Sequence, residues 1–134
     1  MSDIVIDTNI VVWYFSGPQL RSESAQSAIV ASQQSGETIY VSAITIVELI
    51  YLNERNRIAT EVLDKLLEAL DDATTAFELA DLSRGVADEL ANIERTIVAD
   101  MPDRIVAATA LYLGVPLVTS DGNLRRLSNV ETIW

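Results

Sequence analysis

Asp3-Ile4-Val5-Ile6-Asp7-Thr8-Asn9 opens the chain, and its reading decides the fold. Three consecutive β-favouring apolar residues without alternation read as a strand covered on both faces, the habit of a parallel sheet. Asp7, Thr8 and Asn9 are helix-capping types, and the apolar residues after them predict a short helix reaching about Phe15. A strand, an acid and a helix together begin a βα unit.

Working outward, the alternation recurs. Ser16-Gly17-Pro18 breaks the first helix, residues 20–35 predict a polar helix ended by Gly36, and residues 38–41 predict a second strand. Ser42 is placed to N-cap a helix reaching about Asn53. Residues 57–70 form the clearest amphipathic pattern, with Ile58, Val62, Leu63, Leu66, Leu67 and Leu70 on one face and Glu61 and Lys65 at i,i+4 on the other. Residues 74–77 predict a short third strand and residues 83–93 a helix. Pro102 opens a further helix that Gly114 closes. Residues 116–119 predict a strand, 121–127 a turn or short helix, and 130–133 a last strand. The expectation is an α/β fold, a three-layer α/β/α sandwich with a mostly parallel central sheet, as a single domain over residues 1–134. Open sheets of this kind bind ligands at the carboxyl ends of their strands.

Composition narrows the chemistry. The 134 residues carry 9 Lys+Arg against 20 Asp+Glu, a net charge of −11, with no His and no Cys. Those two absences exclude disulfides, zinc–thiolate and His-ligated metals, thiol nucleophiles and the Ser-His-Asp triad. Lys65 is the one lysine, so a Schiff base or a P-loop lysine has a single candidate. Carboxylate remains in quantity, and a metal held by it is a hard cation, Mg²⁺, Mn²⁺ or Ca²⁺. The acidic balance argues against a generic nucleic-acid coat protein and for a cation or a basic partner. No basic leader precedes the first strand, and the two longest apolar stretches, residues 39–52 and 105–118, are too short to span a bilayer. These features predict a soluble, cytoplasmic protein without membrane attachment.

Four acids stand out. Asp7 leaves the first strand, and its ordinary alternative is a helix cap. Glu48 is the sole charge in Ala43-Ile44-Thr45-Ile46-Val47-Glu48-Leu49-Ile50-Tyr51-Leu52. A carboxylate in such surroundings costs several kcal/mol unless it is paired, protonated or metal-bound. Asp103 falls in the first turn of the helix opened by Pro102, where it also complements the helix dipole and where Asp100 can supply a cap. Asp121 follows the strand at residues 116–119, in Asp121-Gly122-Asn123, which is also ordinary turn chemistry. The conjunction outweighs each member, because the topology sends all four to one sheet edge. Unneutralised, they repel and at least one pKa rises. Two divalent cations balance four carboxylates, and paired ions are a standard arrangement for phosphodiester hydrolysis. The metals, rather than Lys or Arg, would then hold the scissile phosphate.

The residues resemble the PIN-domain nucleases, and within them the VapC-like toxins of type II toxin–antitoxin pairs. The resemblance rests on Ile6-Asp7-Thr8-Asn9, on Ser42-Ala43-Ile44-Thr45-Ile46-Val47-Glu48 and on Asp100-Met101-Pro102-Asp103-Arg104-Ile105-Val106-Ala107-Ala108-Thr109-Ala110. Leu117-Val118-Thr119-Ser120-Asp121 and the closing Glu131-Thr132-Ile133-Trp134 complete it. It implies a PIN fold, Mg²⁺- or Mn²⁺-dependent endoribonuclease activity, a homodimer, and a cognate antitoxin that presents a basic segment to the acidic site. It carries the catalytic and metal-binding quartet onto Asp7, Glu48, Asp103 and Asp121, with Thr8, Asn9, Asp100, Thr119 and Ser120 in support. In-line attack by metal-activated water would leave a 5′-phosphate and a 3′-hydroxyl.

Other readings differ at identifiable residues. A haloacid-dehalogenase-type phosphatase needs an acid where Asn9 stands, and a receiver domain needs a late lysine that is absent. The five scattered glycines make no phosphate-cradling loop. A PIN-type nuclease of RNA maturation or DNA processing stays open, as does a non-catalytic pocket for a basic peptide. Arg104, Arg125 and Arg126 are the cations nearest the cluster in sequence, either phosphate contacts or solvated surface. Residues 49–52 and 57–70 supply either a dimer face or core.

Overall fold

The structure is a computed structural model, and it describes residues 2–17 and 22–134. Pro18 and Leu20, which figure in the expected helix break and the expected start of the next helix, lie outside the described residues. The elements run β1 (Ile4–Ile6), α1 (Thr8–Ser16), α2 (Glu23–Ser35), β2 (Ile39–Ser42), α3 (Ala43–Glu54) and α4 (Thr60–Asp71). They continue with β3 (Phe77–Ala80), α5 (Arg84–Glu89), a 3-10 turn at Leu90–Asn92, α6 (Met101–Leu113), β4 (Leu117–Val118), a 3-10 turn at Leu124–Arg126, and β5 (Thr132–Ile133).

The strands form one sheet in the order β3-β2-β1-β4-β5. Every pairing is parallel, with Ile6 opposite Val41 on one side and Val118 on the other. Side chains alternate across β1, so Ile4 and Ile6 join Ile10, Val11, Ile29, Leu49 and Leu66 on one face, while Val5 joins Val86, Ile93, Val106, Leu117 and Leu124 on the other. Both faces are covered, and the three-layer α/β/α sandwich expected from the sequence is present. The small residues Ala107, Ala108 and Ala110 of α6 are fully buried, which brings that helix close against the sheet.

Helix ends follow the capping chemistry. Asp7, Ser22, Ser42, Ser83 and Asp100 N-cap α1, α2, α3, α5 and α6 through their side chains. Gly114 closes α6 at φ 69°, a left-handed conformation that a Cβ disfavours.

Three boundaries differ from the sequence expectation. The third strand starts at Phe77 rather than occupying residues 74–77. The hydroxyls of Thr74 and Thr75 are spent on a turn, bonding Asp72 Oδ1 (2.6 Å) and the Ala69 carbonyl (2.7 Å). Helix α4 starts at Thr60 rather than residue 57, because Ala59 is extended (φ −68°, ψ 139°) and serves as its N-cap. The expected helix over residues 83–93 is α5 followed by the 3-10 turn. Ile58 nevertheless packs against the core, as its periodicity requires.

Candidate functional site

The carboxyl edge of the sheet collects the acidic residues by topology. Strand β1 ends at Ile6 and delivers Asp7, β2 leads into α3 and Glu48, and β4 leads into Thr119 and Asp121. Helix α6 returns to the start of β4, so its N-terminus, with Asp103, lies at this same edge.

Asp7 is 4% exposed. Its Oδ1 accepts from the Ile10 N–H at 2.9 Å, so it does cap α1. Its Oδ2 accepts from the Thr119 hydroxyl. Thr119 also accepts from the Asp121 N–H at 3.0 Å, linking the first and last acids of the quartet through one side chain. Of the two hydroxyls offered by the sequence beside Asp121, this is Thr119. Asp121 shapes its own turn, with Oδ1 accepting from Asn123 N–H (2.8 Å) and Leu124 N–H (3.0 Å).

Glu48 is joined to α1 by Thr8, whose hydroxyl donates to Glu48 Oε1 at 2.6 Å. Thr8 Oγ1 also lies 3.0 Å from the hydroxyl of Thr45, a buried residue one turn earlier on α3. Thr45 was not among the residues singled out from sequence. Its signal is a hydroxyl at i−3 from an isolated helical carboxylate. Asp100 caps α6 by accepting from the Asp103 N–H at 3.1 Å, and is exposed. Asn9 is exposed and Ser120 half-buried, and neither bonds any of the four carboxylates among the described residues.

The electrostatics are those of an uncompensated cluster. Burial pushes the Asp7 carboxyl up to about 6, reinforced by the charges of Asp121 and Glu48 and opposed by its bonds to Thr119 and Ile10. Asp103 rises to about 7, through burial first and then repulsion from Asp100, Asp121, Glu48 and Asp7. Glu48 is raised by burial, with Asp100 adding and the Thr8 hydroxyl opposing. Among the described residues the one salt bridge is Arg84–Asp88 on the surface, so no basic side chain neutralises the cluster. Arg104 is committed elsewhere: its Nη2 donates to the carbonyls of Leu90 and Ile93, each at 2.9 Å. Arg125 and Arg126 are exposed.

This donor set suits a hard divalent cation, being oxygen-only and short of positive charge. Each carboxylate oxygen has a second lone pair, so the protein bonds to Asp7 and Glu48 leave capacity for an ion. As placed, no three acids among the described residues already close on a common point. Holding an ion therefore requires side-chain rotation at the half-buried members.

The comparisons agree with this architecture. The PIN domain description matches residues 4–130. Ribonuclease VapC22 of Mycobacterium tuberculosis is 30% identical over 136 residues, covering 100% of both chains. The crystal structure of VapBC2 from Rickettsia felis bound to a promoter DNA fragment superposes with TM-score 0.69 at 20% identity, covering 97% of this chain and 96% of that one. A toxin–antitoxin complex from Klebsiella pneumoniae gives 0.65 at 22%, covering 95% and 94%. FitAcB from Neisseria gonorrhoeae gives 0.64 at 25%, covering 96% and 95%. With a domain match across nearly the whole length and a full-length relative sharing its sequence, the chain belongs to the PIN-domain family and is VapC-like.

Proposed function

We propose that the chain is a divalent-metal-dependent endoribonuclease, the toxin of a toxin–antitoxin pair, working at Asp7, Glu48, Asp103 and Asp121. One observation carries the reading. Four carboxylates from four separate segments share the carboxyl edge of the sheet, three of them (Asp7, Glu48 and Asp103) with pKa values raised by burial first and neighbouring acids second, and none has a basic partner among the described residues. Natural folds rarely keep such a cluster without a cation or a catalytic use. The full-length similarity to Ribonuclease VapC22 supports RNA as the substrate.

When bound, Mg²⁺ or Mn²⁺ supplies water activation and charge neutralisation at the scissile phosphate. The chain's own part is positional. Asp7, held by Ile10 and Thr119, is the fixed ligand. Glu48 is aimed by Thr8, and Asp121 by its turn. Asp103 has the most latitude, because its carboxylate accepts no hydrogen bond among the described residues. Thr8, Thr45, Thr119 and Asp100 support these ligands, with Asn9 and Ser120 beside them. The acidic edge also suits the basic segment of an antitoxin, and a homodimer would place two such edges in one particle.

The test is cleavage of a labelled, unstructured RNA with Mg²⁺, with Mn²⁺, and with chelator. Cleavage with metal, none with chelator, and none by Asp7→Asn is the expected outcome. Metal-independent cleavage, or full activity of Asp7→Asn, overturns the assignment. Cutting of DNA in preference to RNA points instead to a DNA-processing PIN nuclease.

A further inference from the structure

Beside the acidic edge, α3 and α6 enclose a groove of about 340 Å³ that the proposed chemistry does not use. Its lining includes Val47, Glu48, Tyr51 and Arg55 from α3 and its cap, and Met101 and Pro102 from α6. Tyr51 is 60% exposed and Met101 61%, an unusual outlay of large apolar surface next to a polar site. The Arg55 guanidinium lies 6.0 Å from the centre of the Tyr51 ring.

Resting on the ribonuclease reading, we propose that this groove is a subsite for one nucleotide flanking the scissile phosphate of single-stranded RNA, its base stacked on Tyr51 and its distal phosphate held by Arg55. Glu48 and Tyr51 stand at i and i+3 on one face of α3, and Arg55 is the residue that caps its C-terminus, about 10 Å along the axis from Glu48. The order is carboxylate, aromatic, cation. It matches a strand that presents the scissile phosphate at the acidic edge, then a base, then a second phosphate. Single-strand binders use this pairing of a stacking ring with a backbone cation, because every base has a π-face. Cations are scarce in this chain, with 9 Lys+Arg in all. Arg55, the cation that lines this groove, makes no salt bridge among the described residues and lies over the Tyr51 ring, which puts cation and aromatic face side by side. Size favours a nucleotide over a protein helix: the cavity suits a single small ligand, whereas a docked amphipathic helix needs anchors over two turns or more.

The experiment is steady-state cleavage of a short unstructured RNA with Mg²⁺ by the wild type and by Tyr51→Ala, Tyr51→Trp and Arg55→Ala. Tyr51→Ala and Arg55→Ala are each expected to raise KM about tenfold with kcat within twofold, while Tyr51→Trp keeps the wild-type KM. An RNA made abasic at the flanking position should cost the wild type a similar factor and Tyr51→Ala almost nothing more. An active wild type whose KM is unmoved by Tyr51→Ala and Arg55→Ala overturns the subsite. So does an unmoved KM accompanied by weakened self-association or antitoxin binding, which assigns the groove to a protein. A wild type that cuts no RNA in Mg²⁺ or Mn²⁺ instead defeats the ribonuclease reading, and the subsite falls with it. Circular dichroism melts check folding, which truncation of these exposed side chains should leave intact.

Discussion

The Thr8 hydroxyl donates to Glu48 Oε1 at 2.6 Å, joining the first turn of α1 to the second turn of α3. A hydrogen bond to a charged acceptor favours the ionised carboxylate, and it opposes the burial that raises Glu48. It also fixes the direction in which Glu48 points. Thr8→Val keeps the shape and removes the donor. It should weaken Mn²⁺ binding about tenfold, the usual scale for losing an orienting partner behind a ligand, as measured by isothermal titration. An unchanged affinity would show that Thr8 serves packing alone.

Stability of the metal-free protein should depend on pH in a direction set by the cluster. Asp7 and Asp103 have folded-state values of about 6 and about 7, above the ordinary 3.8. A carboxyl raised on folding stabilises the fold fully below its unfolded value, and that contribution is lost as pH rises through the folded value. The metal-free protein should therefore melt lower at pH 8 than at pH 5. Asp7→Asn should gain about 3 kcal/mol over the wild type at pH 8 and little at pH 4, because Asn keeps an acceptor for the Ile10 N–H. Differential scanning calorimetry reads both. A constant offset at all pH values would show that burial and repulsion do not govern Asp7.

Arg104 presents a different test. Its Nη2 bonds two backbone carbonyls, and its Nε is buried without a partner. Arg104→Met keeps much of the stem but strands both carbonyls, and should cost about 2 kcal/mol in urea unfolding. RNA affinity per folded molecule should stay near wild type. A variant of full stability and weakened RNA binding would reassign Arg104 to phosphate contact.

Helices α5 and α6 meet where a Cβ on Gly85 would come within 2.2 Å of the Tyr112 ring. Gly85→Ala should destabilise by about 1 kcal/mol, since overpacking exceeds the gain in helix propensity. In a Tyr112→Ala background the same change should stabilise by about 1 kcal/mol. Additive effects in this double-mutant cycle would show that the two residues do not touch in solution.

Much of this molecule is legible one element at a time. The unbroken run Ile4-Val5-Ile6, the capping residues Asp7, Ser42 and Asp100, and the pairing of Pro102 with Gly114 are local features. Their physics acts within a few residues, so the sequence determined most of the elements, the mostly parallel character of the sheet, and the four acids, Asp7 and Asp121 following strands and Glu48 and Asp103 on helices. Tertiary packing decided what local physics leaves open. Thr74 and Thr75 suit a strand as well as a turn, and the bonds to Asp72 and Ala69 chose the turn. Thr119 and Ser120 offer equivalent hydroxyls, and only the neighbouring position of Asp7 selects Thr119. Arg104 has its guanidinium drawn away from the acids by carbonyls 11 and 14 positions earlier. Hydrogen bonds between distant segments depend on where the backbone brings them, and that geometry is set by burial on both faces of the sheet rather than by any neighbouring residue.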